Sequence, residues 1–482
     1  MNYKHLAITT SLLSSLLLVG CGDTDSGVPL AVQPPIGIAA PTAGNIAFSV
    51  LGSSSTTATA ANGILSVGNP NTATVVKVQS PTTRGGTITA NADGSFTYNA
   101  PALGNTTDTF SYTIQNAGGS ATGTATVTLL GRGFFVNNQA APGGTGTQAQ
   151  PFQTLAQVQA AATGVNGAEI VVFQGDGTNN GYNTPISLSA NQTLRGFSQA
   201  ATPLLTGPVS LATGNRLEDV RISGTPGAAS AVNATAASNG IINRLSISNC
   251  TSAGNLTGAA GTFSISNLDV QNMTSQGLVT ASSSGNLSWS VNNSTFTNTA
   301  ICAVCTAPTA TAVQNLTVTN CSITGGGSAK ILLTPNTTGT NVGLTVTNCT
   351  VNGANTALTG IDIDVRGSTA FTGLLTNNNI TACTDAGILA IAPVGNPTVR
   401  LKLSGNRTLG NALNRGIGLG CANNANLCAV VQNNISDAFV FNQNAPSVLG
   451  VELLASFAAR NTGTLQTVGN ITDLINGACG LP

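Results

Sequence analysis

The sequence predicts an all-β protein whose larger, C-terminal part is a parallel β-helix with three short strands per coil. Three observations carry this reading. Leu316-Thr317-Val318-Thr319-Asn320-Cys321-Ser322-Ile323 returns as Leu344-Thr345-Val346-Thr347-Asn348-Cys349-Thr350-Val351, an offset of 28 residues from Asn320 to Asn348. A return at a spacing of about 20 to 50 residues marks a solenoid, whose units bury their apolar faces only against one another. Strict alternation, as in Gly360-Ile361-Asp362-Ile363-Asp364-Val365, has the two-residue period of a strand with one buried face. Composition leaves no place for long helices: Ser, Thr, Asn and Gly dominate, with 41% hydrophobic but only 6% charged residues.

The other copies keep the same order of parts. An Asn column runs Asn267, Asn293, Asn320, Asn348, Asn377 and Asn406, each followed three residues later by an apolar side chain. A second column, opened in several copies by Gly, runs Leu278, Ile301, Ile331, Ile361, Ile388 and Ile417. Each unit thus holds a Gly-led strand, a strand ending in Asn and a brief strand after it. Asn suits the bend because it tolerates left-handed backbone and its amide can bond the same amide one coil away. Regular Ile, Leu and Val in two registers argue against a disordered polar tract. The strand–Asn–strand corner, stacked over residues 131–482, resembles the pectin lyase-like family of right-handed parallel β-helices. That resemblance implies an Asn ladder between the second and third strands of each coil, and it concerns fold, which many functions share.

Taken in order, residues 1–20 read as an export signal: Lys4 supplies the positive start and 12–19 the apolar centre. Leu18-Val19-Gly20-Cys21 resembles a bacterial lipobox, which implies cleavage before Cys21 and lipid on that residue. Gly22 after the cysteine, in place of Asp, implies the outer membrane in a Gram-negative cell. Residues 21–41, with Asp23, Asp25, Pro29, Pro34, Pro35 and Pro41, read as a tether. Residues 42–130 read as a separate β-sandwich, with strand signals at 46–51, 73–78, 87–90, 95–98, 109–114 and 121–129. Asp93-Gly94-Ser95-Phe96-Thr97-Tyr98 and Asp108-Thr109-Phe110-Ser111-Tyr112 resemble bacterial Ig-like and cadherin-like repeats, without the clustered carboxylates of a calcium site. From 131 on, Gly143-Gly144-Thr145-Gly146-Thr147 and Pro151-Phe152 precede apolar residues at helical spacing, with Thr154 placed to cap that helix. Glu169-Ile170-Val171-Val172-Phe173 and Thr193-Leu194-Arg195-Gly196-Phe197 continue the opening of the coil. A closing turn of helix is expected near Asp473–Asn476.

Chemistry is tightly bounded. Formal net charge is zero with no basic run, so the electrostatic footprint of a nucleic-acid binder is absent. The single His is His5, inside the signal, which removes Ser-His-Asp and Cys-His catalysis and every His-containing metal site from the mature chain. Ten Cys, less Cys21, leave an odd number. Cys302 with Cys305, and Cys421 with Cys428, are close enough in sequence to form disulfides in an oxidising compartment. Cys321 and Cys349 share a register and should stack as buried thiols. The candidate catalytic constellation is Asp362, Asp364 and Arg366, outward if Ile361, Ile363 and Val365 point inward, with Lys330, Asp385 and Arg415 as expected neighbours. Residues i and i+2 on a strand stand roughly 6.6 Å apart, which suits a carboxylate pair acting on a glycoside.

The sequence therefore supports a lipid-anchored surface protein whose non-catalytic β-helix, of about nine or ten coils at ~4.8 Å each, contacts extracellular polysaccharide or other cells. No cofactor is expected on this reading. The alternative is a polysaccharide lyase or glycoside hydrolase acting on acidic glycans at Asp362, Asp364 and Arg366, with calcium a cofactor only for the lyase. Thr359-Gly360-Ile361-Asp362 resembles a polygalacturonase element, but the Gly-His-Gly and Arg-Ile-Lys segments of that family are missing. The Arg-x-Pro-x-x-Arg element of pectate lyases is missing too. Trp289 has the parity of a core residue, which leaves little aromatic platform for sugar.

Overall fold

A computed structural model describes residues 37–225, 227–235, 237–281, 285–413 and 415–481. The export signal, Cys21 and most of the tether lie outside the described residues. The chain is almost entirely β, with 5% helix, and a solenoid of about 11 turns follows an N-terminal sandwich.

One sheet of the sandwich pairs Thr106–Asn116 antiparallel to both Thr74–Val78 and Gly119–Val136, with Ile46–Gly52 parallel to the latter on its other side. The second sheet is Ser55–Ala58, Phe96–Asn99 and Thr87–Ala90, all antiparallel. Alternating inward residues Phe96, Tyr98, Phe110, Tyr112 and Ile114 close the core between them. Asp108 is fully buried there. Its carboxylate accepts from the Thr82, Thr83 and Tyr98 hydroxyls and from the Arg84 and Thr109 amides. Burial pushes its pKa up, but the hydrogen bonds from Thr82, Tyr98, Arg84 and Thr83 outweigh it and hold the group below 3.8.

No linker separates the two parts. The 18-residue strand Gly119–Val136 belongs to the sandwich through Ala125–Leu129 and to the first coil through Gly133–Val136, which pair in parallel with Glu169–Val172. The Gln148 amide N–H reaches the Ser53 carbonyl, 2.9 Å, and Ser55 N–H returns to Gln148 Oε1, 2.8 Å. Over the open end of the first coil lies the helix Leu155–Ala162, burying Leu155, Val158 and Ala162. Thr154 caps it in a reciprocal capping box with Gln157, as the sequence predicts.

The solenoid has three walls, and all its strand pairings are parallel. The wall ending at the Asn corner includes Ala260–Ser266, Asn286–Asn292, Val313–Thr319 and Thr398–Ser404. The brief wall includes Thr295–Thr299, Ser322–Thr324 and Thr350–Asn352. The Gly-led wall includes Leu278–Thr280, Val304–Thr306, Ala329–Leu333, the first part of Thr359–Thr376, whose second part bends into the Asn-corner wall, and Ala386–Gly395. Leu316 pairs with Leu344 and Val318 with Val346, so the sequence repeat is a stack in register. Inward residues from all walls form one continuous apolar column.

Two columns differ from the sequence reading. Val304, not Ile301, stands between Leu278 and Ile331, while Ile301 is 41% exposed on a turn. Val304 follows inward Phe296 at the same spacing by which Leu278 follows Val270 and Ile331 follows Ile323, so Ile301 falls on the turn before the strand. The corner column also shifts by one residue at its end. Asn267, Asn293, Asn320, Asn348 and Asn377 all have φ between 50° and 56°, but the next corner is Gly405, φ 68°. Asn406 instead aligns with Asn378, one position inward. There the buried amides Asn378, Asn406, Asn434 and Asn461 form a ladder, each Nδ2 donating to the next Oδ1 at 2.9–3.1 Å. Cys321 and Cys349 hold this same inner position in earlier coils, both buried as expected. A second left-handed corner, at Asn249, Asn272 and Asn298, falls at the end of the brief wall.

The far end closes differently from the expectation. Residues 472–474 form a strand, not a helical turn, and the short helix is Phe457–Arg460, whose Phe457 packs edge-on against Phe439 and Phe441. Cys302 is placed against Cys305, but Cys428 is placed against Cys479 and not against Cys421. Parity explains the correction: Cys421 faces the apolar interior, whereas Cys428 alternates outward between buried Leu427 and Ala429 and meets the tail. Cys250, Cys321, Cys349, Cys383 and Cys421 are free and buried.

Candidate functional site

The acidic row lies on the Gly-led wall. Ile361, Ile363 and Val365 are fully buried, so alternation turns Asp362, Asp364 and Arg366 outward, as the sequence predicts. Arg366 clamps Asp364 with Nε at 3.1 and 3.0 Å from its two oxygens and Nη2 at 2.6 Å from Oδ2. One coil on, Arg415 Nη1 stands 3.2 Å from Asp385 Oδ1. Two of the three carboxylates are therefore neutralised by their own arginines.

Asp362 is different. Its register neighbours on the same face are Leu332 before it and Leu389 after it. It has no hydrogen bond or ion pair among the described residues. Burial, then the charges of Asp364 and Asp385, push its pKa up from 3.8 to about 6. A carboxyl tuned to that range can hold a proton near neutrality, the property of a general acid.

Lys330 does not join the row. It is fully buried, with Nζ donating to the Gly325 carbonyl, and burial lowers its pKa from 10.5 to about 8. Its strand position pairs with Gly360, at the wall's inner edge, where a Cβ would lie 2.4 Å from Ile380. The register that carries Leu332 to Asp362 leaves Lys330 under the corner and away from solvent. Calcium does not fit the row either. Asp364 already has a bidentate cation, and among the described residues no group of three His, Cys, Asp or Glu side chains is placed to hold a metal.

Sequence reasoning missed the shape beside the row. Gly418 and Gly420 take the outward positions next to Leu389 and Ile391. Missing side chains there open a shallow notch of about 290 Å³, floored by Leu389, Ile391 and Val440 and edged by Arg415 and Asn442. Its signal was present as Gly416-Ile417-Gly418-Leu419-Gly420, in which every outward residue is glycine.

Among known proteins, residues 38–129 match the family described as Bacterial Ig domain. No curated protein matches the chain, and no solved structure does. The N-terminal sandwich is thus a bacterial Ig domain, followed by a β-solenoid of about 11 turns.

Proposed function

We propose that this chain is a lipid-anchored bacterial surface protein, held at the outer membrane through Cys21. On this reading it presents a pectin lyase-like, right-handed parallel β-helix as a non-catalytic scaffold toward extracellular polysaccharide or other cells. The observation that carries the reading is the strand Gly119–Val136, which runs unbroken from the Ig domain into the first coil. A shared strand lets the two parts act as one stiff spacer, a construction suited to holding a binding surface away from a membrane. The acidic row supports the same conclusion, since the arginines that hold Asp364 and Asp385 are the ordinary partners of a compensated surface. The test is a glycan array and a cell-adhesion assay on the full chain beside Asp362→Ala/Asp364→Ala. Binding that survives the double substitution fits a scaffold, and no binding to any glycan or cell removes it.

One observation favours a second reading, a polysaccharide hydrolase or lyase. Asp362 has no partner among the described residues, and burial pushes its pKa up to about 6 beside a notch. Release of product from a polyuronate, abolished in Asp362→Asn, would replace the scaffold with the enzyme.

A further inference from the structure

The opening coils carry a feature that the acidic row does not use. Phe173 and Phe197 follow the strands Glu169–Val172 and Thr193–Gly196 in successive coils and stack outside the core, with ring centroids 4.2 Å apart and planes 20° apart. Phe135 adjoins Phe173 at 6.4 Å. The chain has only 14 Phe, 4 Tyr and 1 Trp, and Phe197, at 45% exposure, is the one exposed aromatic among the described residues. Burying such a ring in the column would be the cheaper use of it, because a large apolar side chain left in water forgoes its transfer free energy.

Beside Phe173 lies a pocket of about 330 Å³, walled by the Gly143–Gly144 turn and by Asn137, Gln148, Gln150 and Pro151. That volume is at the lower end of the about 300–1,000 Å³ range of small-molecule sites. The three amides are oriented. Asn137 Oδ1 accepts from Gln139 N–H, 3.0 Å; Gln148 Oε1 from Ser55 N–H, 2.8 Å; and Gln150 Oε1 from the Thr145 hydroxyl, 3.4 Å. Their oxygens occupied, Asn137 Nδ2, Gln148 Nε2 and Gln150 Nε2 donate to no group among the described residues. No charged side chain lines the pocket.

Aromatic faces, oriented neutral donors and an absence of charge together select a ligand. The geometry points to a binding site for one ring of a neutral, uncharged polysaccharide at Phe173, Phe197 and the adjoining pocket. The apolar C–H face of the ring lies against the phenylalanines, and its hydroxyl oxygens accept from Asn137, Gln148 and Gln150. An acidic sugar would bring a carboxylate to a pocket that offers no cation, and the one arginine on the same face as Phe197, Arg195, is already held by Glu169. This site rests on the polysaccharide-contact reading and narrows it. It is separate from the acidic row: Phe173 and Phe197 follow strands of the wall that ends at the Asn corner, whereas the row stands on the Gly-led wall about seven coils further on, roughly 34 Å at ~4.8 Å per coil.

The test is isothermal titration of the full chain with three probes: a neutral β-glucan, a neutral mannan and polygalacturonate. Wild type, Phe197→Ala, Gln150→Ala and Asp362→Ala/Asp364→Ala are compared, with circular dichroism as the folding control. Phe197 and Gln150 are exposed, so neither truncation opens the core. The expected result is binding to a neutral glycan that weakens about tenfold in Phe197→Ala and is unchanged in the aspartate double variant. Neutral-glycan binding equal in Phe197→Ala, Gln150→Ala and wild type would overturn the site while leaving polysaccharide contact standing. Binding confined to polygalacturonate and lost with the aspartates would do the same. No binding to any probe removes the site and the polysaccharide contact together.

Discussion

Asp362 offers a quantitative test of how the coils are registered. Placed between Leu332 and Leu389 and near two other carboxylates, it is raised from 3.8 to about 6 in the folded chain. Between these values the folded state holds a proton that the unfolded state has lost, so stability falls as pH rises through the window. Above about pH 6 the cost is complete; below about pH 4 it is absent. At 1.36 kcal/mol per pH unit the rise amounts to about 3 kcal/mol. Asp362→Asn keeps the shape and removes the charge. It should therefore stabilise the chain by about 3 kcal/mol at about pH 7 and by nothing measurable at about pH 4. Guanidinium unfolding followed by circular dichroism at both pH values reads this directly. A gain of the same size at both, or a loss at neutral pH, would refute the placement of Asp362 among leucines.

Four further outcomes are expected. Lys330→Met should stabilise the chain by about 3 kcal/mol at neutral pH, because burial depresses the amine from 10.5 to about 8. In wild type, stability should then rise between those two values as the unfolded state alone stays protonated, and that rise should be missing from the variant's pH profile. Asp108→Ala strands the Thr82, Thr83 and Tyr98 hydroxyls and should cost the Ig domain at least about 3 kcal/mol, read as a lowered denaturation midpoint. Since its pKa is depressed, the wild-type contribution should be present above pH 3.8 and fade as acid titrates the carboxylate. Asn406→Ala should cost about 1–3 kcal/mol by orphaning the amides on either side, and Asn348→Ala, at an exposed corner, distinctly less. Non-reducing peptide mapping should recover Cys428 joined to Cys479, with Cys421 alkylated only after unfolding; a Cys421–Cys428 peptide would contradict the parity argument.

The period of a strand is two and that of this repeat is near 28, and both are properties of the chain alone. That is why the parallel coils, the burial of Trp289, the outward turn of Asp362, Asp364 and Arg366, and the Thr154 cap could be read from residue order. Alternation states which face a residue takes, but not what stands beside it one coil away. Lys330 and Asp362 look like neighbours in sequence-derived columns, yet pairing Leu332 with Asp362 sends the lysine beneath a corner and leaves the carboxyl among leucines. Likewise, a shift of one residue turned Asn406 from an exposed bend into a buried ladder, and Cys428 found its partner in the tail, 51 residues on. The Phe173–Phe197 stack needed two coils laid one upon the other before either ring had a meaning. Local periodicity fixes orientation because it depends only on backbone geometry. Register between coils, set by what fills the interior, is a non-local quantity, and it decided the surroundings of Asp362, Lys330, Asn406 and Cys428, whereas Arg366 meets Asp364 within a single strand.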